Sequence, residues 1–337
     1  MKRILAVYDI DASYAERFAD FANQKEQTPF TVIPFTSMEK LQAYSERNQV
    51  EILLVSDSVD KEILAGVKAG QIVTLSDGEV IPADGEYPSI YKYQSADGIV
   101  REVMSCYCEN PIEKALAVLA QKAAVIGVYS PVNRCLKTSF SLTLGQLLSR
   151  DSKVLYLNLE EYSGLAALMN EDYKGSLSDI LYFYQQKNFN WMRLSTVVYS
   201  WGSLDYIPPV CFPEDLDLIG GAEMAELLTK IAVESPYEIL VVDLGQFGKK
   251  ALEVLEICKT VYMPVKEDCV SAAKLEEFED YVRAAGKPQI LERIQKVKLP
   301  YHGGLSRKEN YVEQLVWGEL GDYVRGLLKG QVNRWEN

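Results

Sequence analysis

Short runs of apolar residues alternate along the chain with longer stretches in which apolar residues recur every three or four positions. The first pattern is typical of buried strands and the second of amphipathic helices. Up to about residue 108, the predicted strands are RILAVYD, FTVIPF, EILLVSD, QIVTLS and PSIYKY. The predicted helices are YAERFADFANQ, SMEKLQAYSER, VDKEILAGVKAG and ADGIVREVMSCYC. Regular alternation of strand and helix indicates a doubly wound α/β domain.

A second series of apolar runs begins near residue 123 and is more continuous than the first. Continuous runs are typical of strands in a parallel sheet that helices cover on both faces. The runs are AAVIGVYS, KVLYLNL, EILVVDLG and TVYMPV, with helices predicted between them. We therefore predict a second domain over residues 123–337, so that the chain holds two doubly wound, three-layer α/β domains with mainly parallel sheets.

The stretch between the two series, NPIEKALAVLAQK, has the spacing of a single helix. Asn110 can cap its first turn, and Pro111 lacks only an N–H group that the first helical position leaves unused. This predicts a linking helix over residues 109–122, following a first domain over residues 1–108.

The end of the chain carries an apolar stripe at helical spacing, which predicts a C-terminal helix. The stripe comprises Val312, Leu315, Val316, Leu320, Tyr323, Val324 and Leu327. The same segment contains four glycines and mixes acidic with basic residues, which suits an anionic membrane poorly. We therefore expect the stripe to pack against its own domain.

Composition narrows the class of protein and its partners. A chain of 337 residues, 48% hydrophobic and 25% charged, is typical of globular proteins and long enough for two cores. Its net charge of −13 repels nucleic acid and anionic lipid. The basic residues between 283 and 308 are interpreted as a solvated face. No run approaches the roughly 18 apolar residues of a membrane span. This predicts a cytoplasmic protein with at most indirect membrane contact and no nucleic-acid partner.

Cysteine and histidine usage argues against zinc or histidine-based catalysis. The six cysteines form no CxxC pair, and His302 is the single histidine. We interpret the cysteines as free thiols in a reducing compartment. A zinc site or a histidine-based triad would need more of these residues than the chain supplies.

Polar residues follow the strands of the first domain in an order that resembles a response-regulator receiver domain. Asp9 and Asp11 follow the first strand, Thr74 or Ser76 could supply a hydroxyl, and Lys92 follows the fifth strand. The chemistry of that family requires acids that bind Mg²⁺, one of which accepts a phosphoryl group that a lysine and a hydroxyl contact.

The phosphoryl acceptor of such a domain is displaced in this sequence. The usual acceptor position in EILLVSDS falls on Ser56, and Asp57 comes one residue later. Successive residues of a strand point to opposite faces, so we expect the Asp57 carboxylate to face away from the other acids. We therefore interpret the domain as a docking or regulatory module that is not phosphorylated.

The second domain opens with a strand, the loop SPVNRCLKTS and a helix, which is the layout of a phosphate-binding loop. Lys137 and Thr138 stand where the phosphate lysine and the magnesium hydroxyl belong. Non-glycine residues replace the usual glycines, and we expect Leu136 either to distort the turn or to occupy the space of a phosphate. The candidate nucleotide-binding residues are Asn133, Arg134, Cys135, Leu136, Lys137, Thr138 and Ser139.

Acidic residues follow the next two strands of this domain. Glu160 follows KVLYLNL, and Asp243 ends EILVVDL. A strand-terminal Asp can hold Mg²⁺, together with Thr138, and an acid after the second strand can orient an attacking water. The order of loop and acids predicts a P-loop nucleotide fold. Two cofactor states stay open: ATP with Mg²⁺ if the altered loop still binds phosphate, and no cofactor if the loop is fully degenerate.

On these residues the second domain resembles the MinD and ParA ATPases, whose phosphate loop is deviant. The pairing with an atypical receiver resembles the CpaE/TadZ proteins of tight-adherence pilus systems over essentially the whole chain. The resemblance makes Lys137 the phosphate lysine, Thr138 the magnesium hydroxyl, Glu160 the counterpart of an activating Asp and Asp243 the third-strand acid. The signature lysine that reaches across the dimer in ATPases of this kind is replaced by Val132.

The resemblance implies a positional or assembly factor with slow or absent ATP hydrolysis. It implies a homodimer formed through the nucleotide face, pilus or secretion partners, and polar or membrane placement through those partners. Three alternatives stay open. The first is an active ATP-dependent dimerisation switch that uses Lys137, Glu160 and Asp243, and the second is a response regulator phosphorylated on Asp57. The third, a DNA-partitioning protein, is disfavoured by the net charge.

Overall fold

The computed structural model of the chain describes residues 3–24, 29–78, 87–109, 122–169, 171–245, 250–300 and 311–335. The chain divides into two compact units, residues 1–116 and 117–337. The predicted linking helix over residues 109–122 and His302 lie almost entirely outside the described residues.

The first unit contains a five-stranded sheet in the order β2-β1-β3-β4-β5, with every pair of neighbours parallel. This is the flavodoxin-like strand order, in which sites form at the carboxyl ends of the strands. The elements are β1 (Arg3–Tyr8), α1 (Ala12–Gln24), β2 (Phe30–Phe35), α2 (Met38–Arg47), β3 (Val50–Ser56), α3 (Lys61–Leu64), β4 (Ala69–Ser76), β5 (Ser89–Tyr91) and α4 (Ala96–Glu109).

The predicted strands of this unit are confirmed, whereas one predicted helix is much shorter than expected. Helix spacing in VDKEILAGVKAG extends over twelve residues, but α3 ends at Leu64. Tight turns follow, in which the N–H of Gly66 donates to the Ile63 carbonyl. Ala69 already pairs with Val50 of β3. The sheet ladder therefore takes residues that periodicity alone assigned to the helix.

The second unit contains a seven-stranded sheet in the order β12-β11-β6-β10-β7-β9-β8. Its elements are β6 (Ala124–Val128), α5 (Lys137–Leu148), β7 (Val154–Leu159), α6 (Leu165–Met169), α7 (Leu177–Gln185), α8 (Trp191–Ser195), β8 (Tyr199–Trp201), β9 (Leu204–Ile207), a 3-10 turn (Pro213–Asp217), α9 (Gly221–Glu234), β10 (Ile239–Leu244), α10 (Lys250–Ile257), β11 (Thr260–Pro264), α11 (Cys269–Ala284), α12 (Gln289–Glu292), β12 (Ile294–Val297), α13 (Tyr311–Trp317) and α14 (Glu319–Trp335).

Alternate residues of the central strand β10 enter two different hydrophobic cores. Leu240, Val242 and Leu244 join one core, while Ile239 and Val241 join the core on the other face. Every residue of β10 is buried. The predicted three-layer α/β arrangement is confirmed, with a parallel sheet except for the antiparallel pair β8 and β9.

Strands β8, β9 and β12 were not predicted from the sequence; β8 and β12 are the two edge strands, and β9 lies between β7 and β8. β8 and β9 form a hairpin, and Gly202 at its turn has a φ of 59°, which glycine adopts without the penalty that a Cβ brings. The alternating apolar residues on both sides of Gly202 are a hairpin signal. β12 has only four residues and gives no comparable signal.

The C-terminal stripe packs against its own unit, as expected, but two helices, α13 and α14, carry it instead of the single helix predicted. Leu315 and Val324 are fully buried, in the same core as Phe140 of α5. Among the helices of the described ranges, none is long and apolar enough to cross a bilayer. The start of α13 lies beside the phosphate-type loop, since the Tyr311 hydroxyl is 2.6 Å from that of Ser139.

Candidate functional site

The loop between β6 and α5 adopts two left-handed backbone positions although it contains no glycine. Arg134 has a φ of 54°, and Leu136 has φ 60° and ψ 29°. From the sequence, Leu136 is expected either to distort the turn or to occupy the space of a phosphate, and that expectation stays a prediction. The Leu136 backbone takes the conformation that glycine usually supplies, and its side chain is half-buried. The loop therefore keeps a sharp turn at a cost in backbone strain.

The first turn of α5 presents backbone N–H groups that the helix does not use. The first helical bond runs from the N–H of Phe140 to the carbonyl of Leu136, and Leu136 provides no side-chain cap. The N–H groups of residues 136–139 therefore have no acceptor within the helix. Together with the positive end of the helix dipole, they form an environment that attracts an anion.

The left-handed conformation of Leu136 predicts an inverted order of stability for two variants. Leu136→Gly and Leu136→Ala both remove the side chain, but only Ala keeps a Cβ that disfavours positive φ. We expect Leu136→Gly to be more stable than Leu136→Ala by about 1 kcal/mol in chemical denaturation. If residue 136 had an ordinary negative φ, Leu136→Ala would be the more stable of the two variants. Finding Leu136→Ala more stable than Leu136→Gly would therefore contradict the left-handed conformation of Leu136.

Lys137 and Thr138, the first residues of α5, both contact Glu160. The Lys137 ammonium donates to Glu160 Oε1 at 2.9 Å and to the Leu244 carbonyl at 2.7 Å. The Thr138 hydroxyl donates to Glu160 Oε2 at 3.0 Å. The Lys137 side chain is 8% exposed and that of Glu160 is 22% exposed. The Glu160 carboxylate thus accepts hydrogen bonds from the two side chains that, in a phosphate loop, contact the nucleotide phosphates and the metal ion.

Asp243 lies in a fully buried polar network beside this pair. Its Oδ2 accepts from the Tyr156 hydroxyl at 3.1 Å and from the Asn158 amide at 3.2 Å. Its Oδ1 is buried and has no hydrogen-bond donor among the described residues. Burial and the charge of Glu160 raise the pKa of Asp243 to about 7, against the opposing effect of Lys137. The site therefore holds a carboxyl group whose charged form is disfavoured by burial and by the neighbouring Glu160.

The register of β7 and β10 brings these groups together. Asn158 and Asp243 are partners across the two strands, and Asn158 also accepts from the Glu160 N–H at 2.9 Å. A Cβ on Gly245 would lie 2.9 Å from the Leu159 carbonyl oxygen and 3.0 Å from the Glu160 Cα. Glycine therefore permits the close approach of the two strand ends at this point.

The remaining candidates in the loop lie away from the acids. Cys135 is buried and its thiol contacts the Val132 carbonyl, and burial raises the pKa of that thiol. Ser139 contacts Tyr311, while Asn133 and Arg134 are exposed. Of the seven predicted loop residues, Lys137 and Thr138 hydrogen-bond to Glu160 through their side chains.

Three contributors to the site were not among its predicted residues. Tyr156 and Gly245 flank the acids, and the Leu244 carbonyl accepts from Lys137. Tyr156 sits inside an apolar strand, where an aromatic residue is ordinarily part of the core, so its sequence carried no signal. The glycine two residues after Asp243 was a signal of close backbone approach.

The oxygen atoms of this site suit Mg²⁺. The Thr138 hydroxyl and Asp243 Oδ1, which has no hydrogen-bond donor in the described part of the chain, are hard ligands of the kind that Mg²⁺ prefers. Across the described ranges, no group of three or more Cys, His, Asp or Glu side chains could hold a metal by itself. A magnesium ion here would need phosphate oxygens and water to complete its coordination.

In the first unit, Asp9 and Lys92 form an ion pair at the carboxyl ends of β1 and β5. Asp9 is buried, and its Oδ2 is 2.6 Å from the Lys92 ammonium. The ammonium also lies over the Tyr14 ring, 4.6 Å from its centroid. Burial opposes the charge on Lys92, but Asp9 outweighs it and raises the lysine pKa. The lysine that a receiver would direct at a phosphoryl group is thus already paired.

The other predicted residues of this pocket have local roles. Asp11 is exposed, and its carboxylate accepts from the Ser13 N–H at the start of α1. The Ser56 hydroxyl lies 2.8 Å from that of Ser58, and Asp57 is exposed in the turn after β3. Thr74 lies within β4, and its hydroxyl donates to the Pro88 carbonyl. Ser76, not Thr74, stands at the end of that strand.

This geometry predicts that a small phosphodonor leaves the first unit unmodified. With acetyl phosphate and Mg²⁺, we expect intact mass spectrometry of the whole protein to detect no phosphoryl adduct. The reason is that Lys92 is held by Asp9 and the strand-end acceptor position carries Ser56. An adduct that disappears in the Asp57→Ala variant would contradict the prediction.

These two sites and sheets define an α/β protein in which a receiver-like unit precedes a phosphate-loop unit. Residues 1–108 match the family described as TadZ-like, receiver domain. The resemblance drawn from the sequence of the first domain is thereby confirmed. No curated protein matches the chain.

Three solved structures illustrate what the chain is similar to. The ParA family ATPase of Chlorobium tepidum TLS has 19% identity over 58% of this chain and 81% of its own, with a TM-score of 0.47. MinD of Pyrococcus horikoshii OT3, complexed with Mg-ADP, has 14% identity over 57% and 77%, with a TM-score of 0.42. A Cyanothece McdA complexed with ATP has 12% identity over 58% and 79%, with a TM-score of 0.44. The fold of the second unit is defined here by its own strand order and loop.

Proposed function

We propose that the chain is a positional or assembly factor of the MinD/ParA kind, with an ATP site that binds nucleotide and hydrolyses it slowly or not at all. The observation that carries the proposal is the placement of Lys137 and Thr138. They start a helix whose first N–H groups have no acceptor within the helix, and their side chains hydrogen-bond to Glu160, beside Asp243. ATP with Mg²⁺ is the ligand that this combination of anion site and oxygen ligands fits.

Two features support slow or absent hydrolysis. The acid proposed to orient a water, Glu160, is held by Lys137 and Thr138. Val132, at the position of the signature lysine, is 4% exposed and has no charge to offer a partner subunit. We propose a homodimer through the nucleotide face, with partners in a pilus or secretion assembly and placement at a pole or membrane through those partners.

We propose that the first unit, over residues 1–108, serves as a docking or regulatory module rather than a phosphoacceptor. The paired Lys92 and the exposed Asp57 support this role. Tyr93, 64% exposed directly after Lys92, supplies an apolar group at the carboxyl edge of the sheet. Tyrosine, with an apolar ring and a polar hydroxyl, is a residue that protein interfaces favour.

The basic segment offers little support for DNA binding. Arg283, Lys287, Lys296 and Lys298 each pair with a carboxylate, and Arg293 donates to backbone carbonyls. For these residues, pairing cancels most of the positive field that a phosphate backbone would require, whereas Arg307 and Lys308 lie outside the described residues.

The proposal is tested by turnover and placement together. We expect the full chain to release phosphate from ATP far more slowly than intact ParA-type ATPases do. We expect a fluorescent fusion in its own cells to collect at discrete sites. Rapid turnover that depends on Lys137 would favour the rival function, an active dimerisation switch, and a uniform distribution in cells would contradict a positional role.

A further inference from the structure

The phosphate-type loop of the second unit already has an anion bound to it. The Glu160 carboxylate uses one oxygen on the Lys137 ammonium and the other on the Thr138 hydroxyl, at 2.9 and 3.0 Å. In a phosphate loop these two groups serve the outer phosphates and the magnesium ion. A carboxylate and a phosphate are both oxyanions that accept charge-assisted hydrogen bonds, so they compete for the same donors.

We propose that Glu160 is a tethered competitor that occupies the outer-phosphate position, so that a phosphate-bearing ligand binds only by displacing it. The inference deepens the proposed function, because it rests on the phosphate-loop site and concerns the regulation of that site. It also changes the role of Glu160 from an acid that orients a water to one that limits ligand entry.

The backbone of Glu160 is held by its neighbours, whereas its side chain has access to solvent. The Glu160 N–H is held by Asn158, and Gly245 allows the neighbouring strand end to approach the Glu160 Cα. The side chain is 22% exposed, compared with 8% for Lys137. Rotation of the side chain toward solvent would therefore release Lys137 and Thr138 without moving β7.

The backbone N–H groups that Glu160 does not contact indicate which class of ligand the loop would bind. The backbone N–H groups of residues 136–139 have no acceptor within α5, and Glu160 contacts the side chains of Lys137 and Thr138 instead. A ligand with two linked phosphates can bind the N–H groups with one phosphate and replace Glu160 with the other. A diphosphate or triphosphate is therefore favoured over a single phosphate.

The test uses inorganic pyrophosphate, which probes this site without an adenine contact. Calorimetry at constant ionic strength measures the affinity of pyrophosphate for three full-length proteins: the wild type, Glu160→Gln and Glu160→Ala. The matched control is Glu161→Gln, which removes the same charge from the exposed neighbouring residue. We expect pyrophosphate to bind both Glu160 variants about tenfold or more tightly than it binds the wild type or the control, because a charge-assisted competitor has been removed.

We expect the double variant Lys137→Met, Glu160→Gln to lose the increase in pyrophosphate affinity that Glu160→Gln shows alone. Equal affinity in the wild type and Glu160→Gln, weaker binding in the variant, or no binding by any form would overturn the inference. If Glu160→Ala does not fold, Glu160→Gln preserves the shape of the side chain and decides the result. Tighter pyrophosphate binding by Glu160→Gln, without any specific placement of the protein in cells, would contradict the proposed function and leave this inference standing.

Discussion

Replacing Lys137 by alanine should lower the free energy of unfolding of the second unit by about 3 kcal/mol. This is the lower end of the range of about 3–5 kcal/mol expected when one partner of a buried ion pair is removed, because the Glu160 side chain is partly exposed. The variant leaves Glu160 beside the buried Asp243 without a positive charge between them. It also removes the donor to the Leu244 carbonyl. Chemical denaturation of the ligand-free protein measures the loss.

A double-mutant cycle separates the ion pair from the general cost of truncation. Combining Lys137→Ala with Glu160→Ala should recover part of the loss, because the uncompensated carboxylate is gone. Lys296→Ala is the control, since Lys296 pairs with Glu279 while 51% exposed, and exposed pairs contribute little. A Lys137→Ala variant as stable as the control would contradict the contact between Lys137 and Glu160.

Replacing Asp243 by asparagine should stabilise the ligand-free protein at pH 8 by about 1 kcal/mol or more, which corresponds to a rise of about 2–4 °C in Tm. Asparagine keeps an oxygen for the donors Tyr156 and Asn158 and removes a charge that burial disfavours. Thermal unfolding is recorded in a chelating buffer, so that no divalent cation contributes.

The pH dependence of this gain has a defined sign. Burial, followed by the charge of Glu160, raises the pKa of Asp243 from its ordinary value of 3.8 to about 7. Between these values the folded protein binds the proton more tightly than the unfolded chain does, so stability falls as pH rises from about 4 to about 7. The Asp243→Asn variant has no carboxyl group here, so its free energy of unfolding should not fall in this way. The difference in stability between the variant and the wild type should therefore grow from about pH 4 to about pH 7 and then level off. An advantage that shrinks with rising pH would contradict the raised pKa.

The sequence predicted the central strands of both sheets because apolar runs and helix spacing report burial directly. β2, for example, coincides with the predicted strand FTVIPF. The errors fall where a local pattern competes with long-range pairing. α3 ends at Leu64 because the strand pairing of Ala69 begins soon after it. β12 is too short for any period to be read from its residues.

The sequence predicted which residues belong to the site but not how their side chains contact one another. Lys137, Thr138, Glu160 and Asp243 were all identified from their positions at strand and helix ends. That Glu160 would turn back onto Lys137 depends on how closely β7 and β10 approach, which Gly245 decides in three dimensions. The left-handed backbone of Leu136 was likewise beyond the sequence, because residue type there argues against it.

The most direct test of the account is a calorimetric titration of the full-length protein with Mg-ATP, alongside Lys137→Met and Glu160→Gln. The account predicts weak binding by the wild type, tighter binding by Glu160→Gln and none by Lys137→Met. Absence of binding in both the wild type and Glu160→Gln would contradict it, because the second unit would then keep the shape of a nucleotide site without its function.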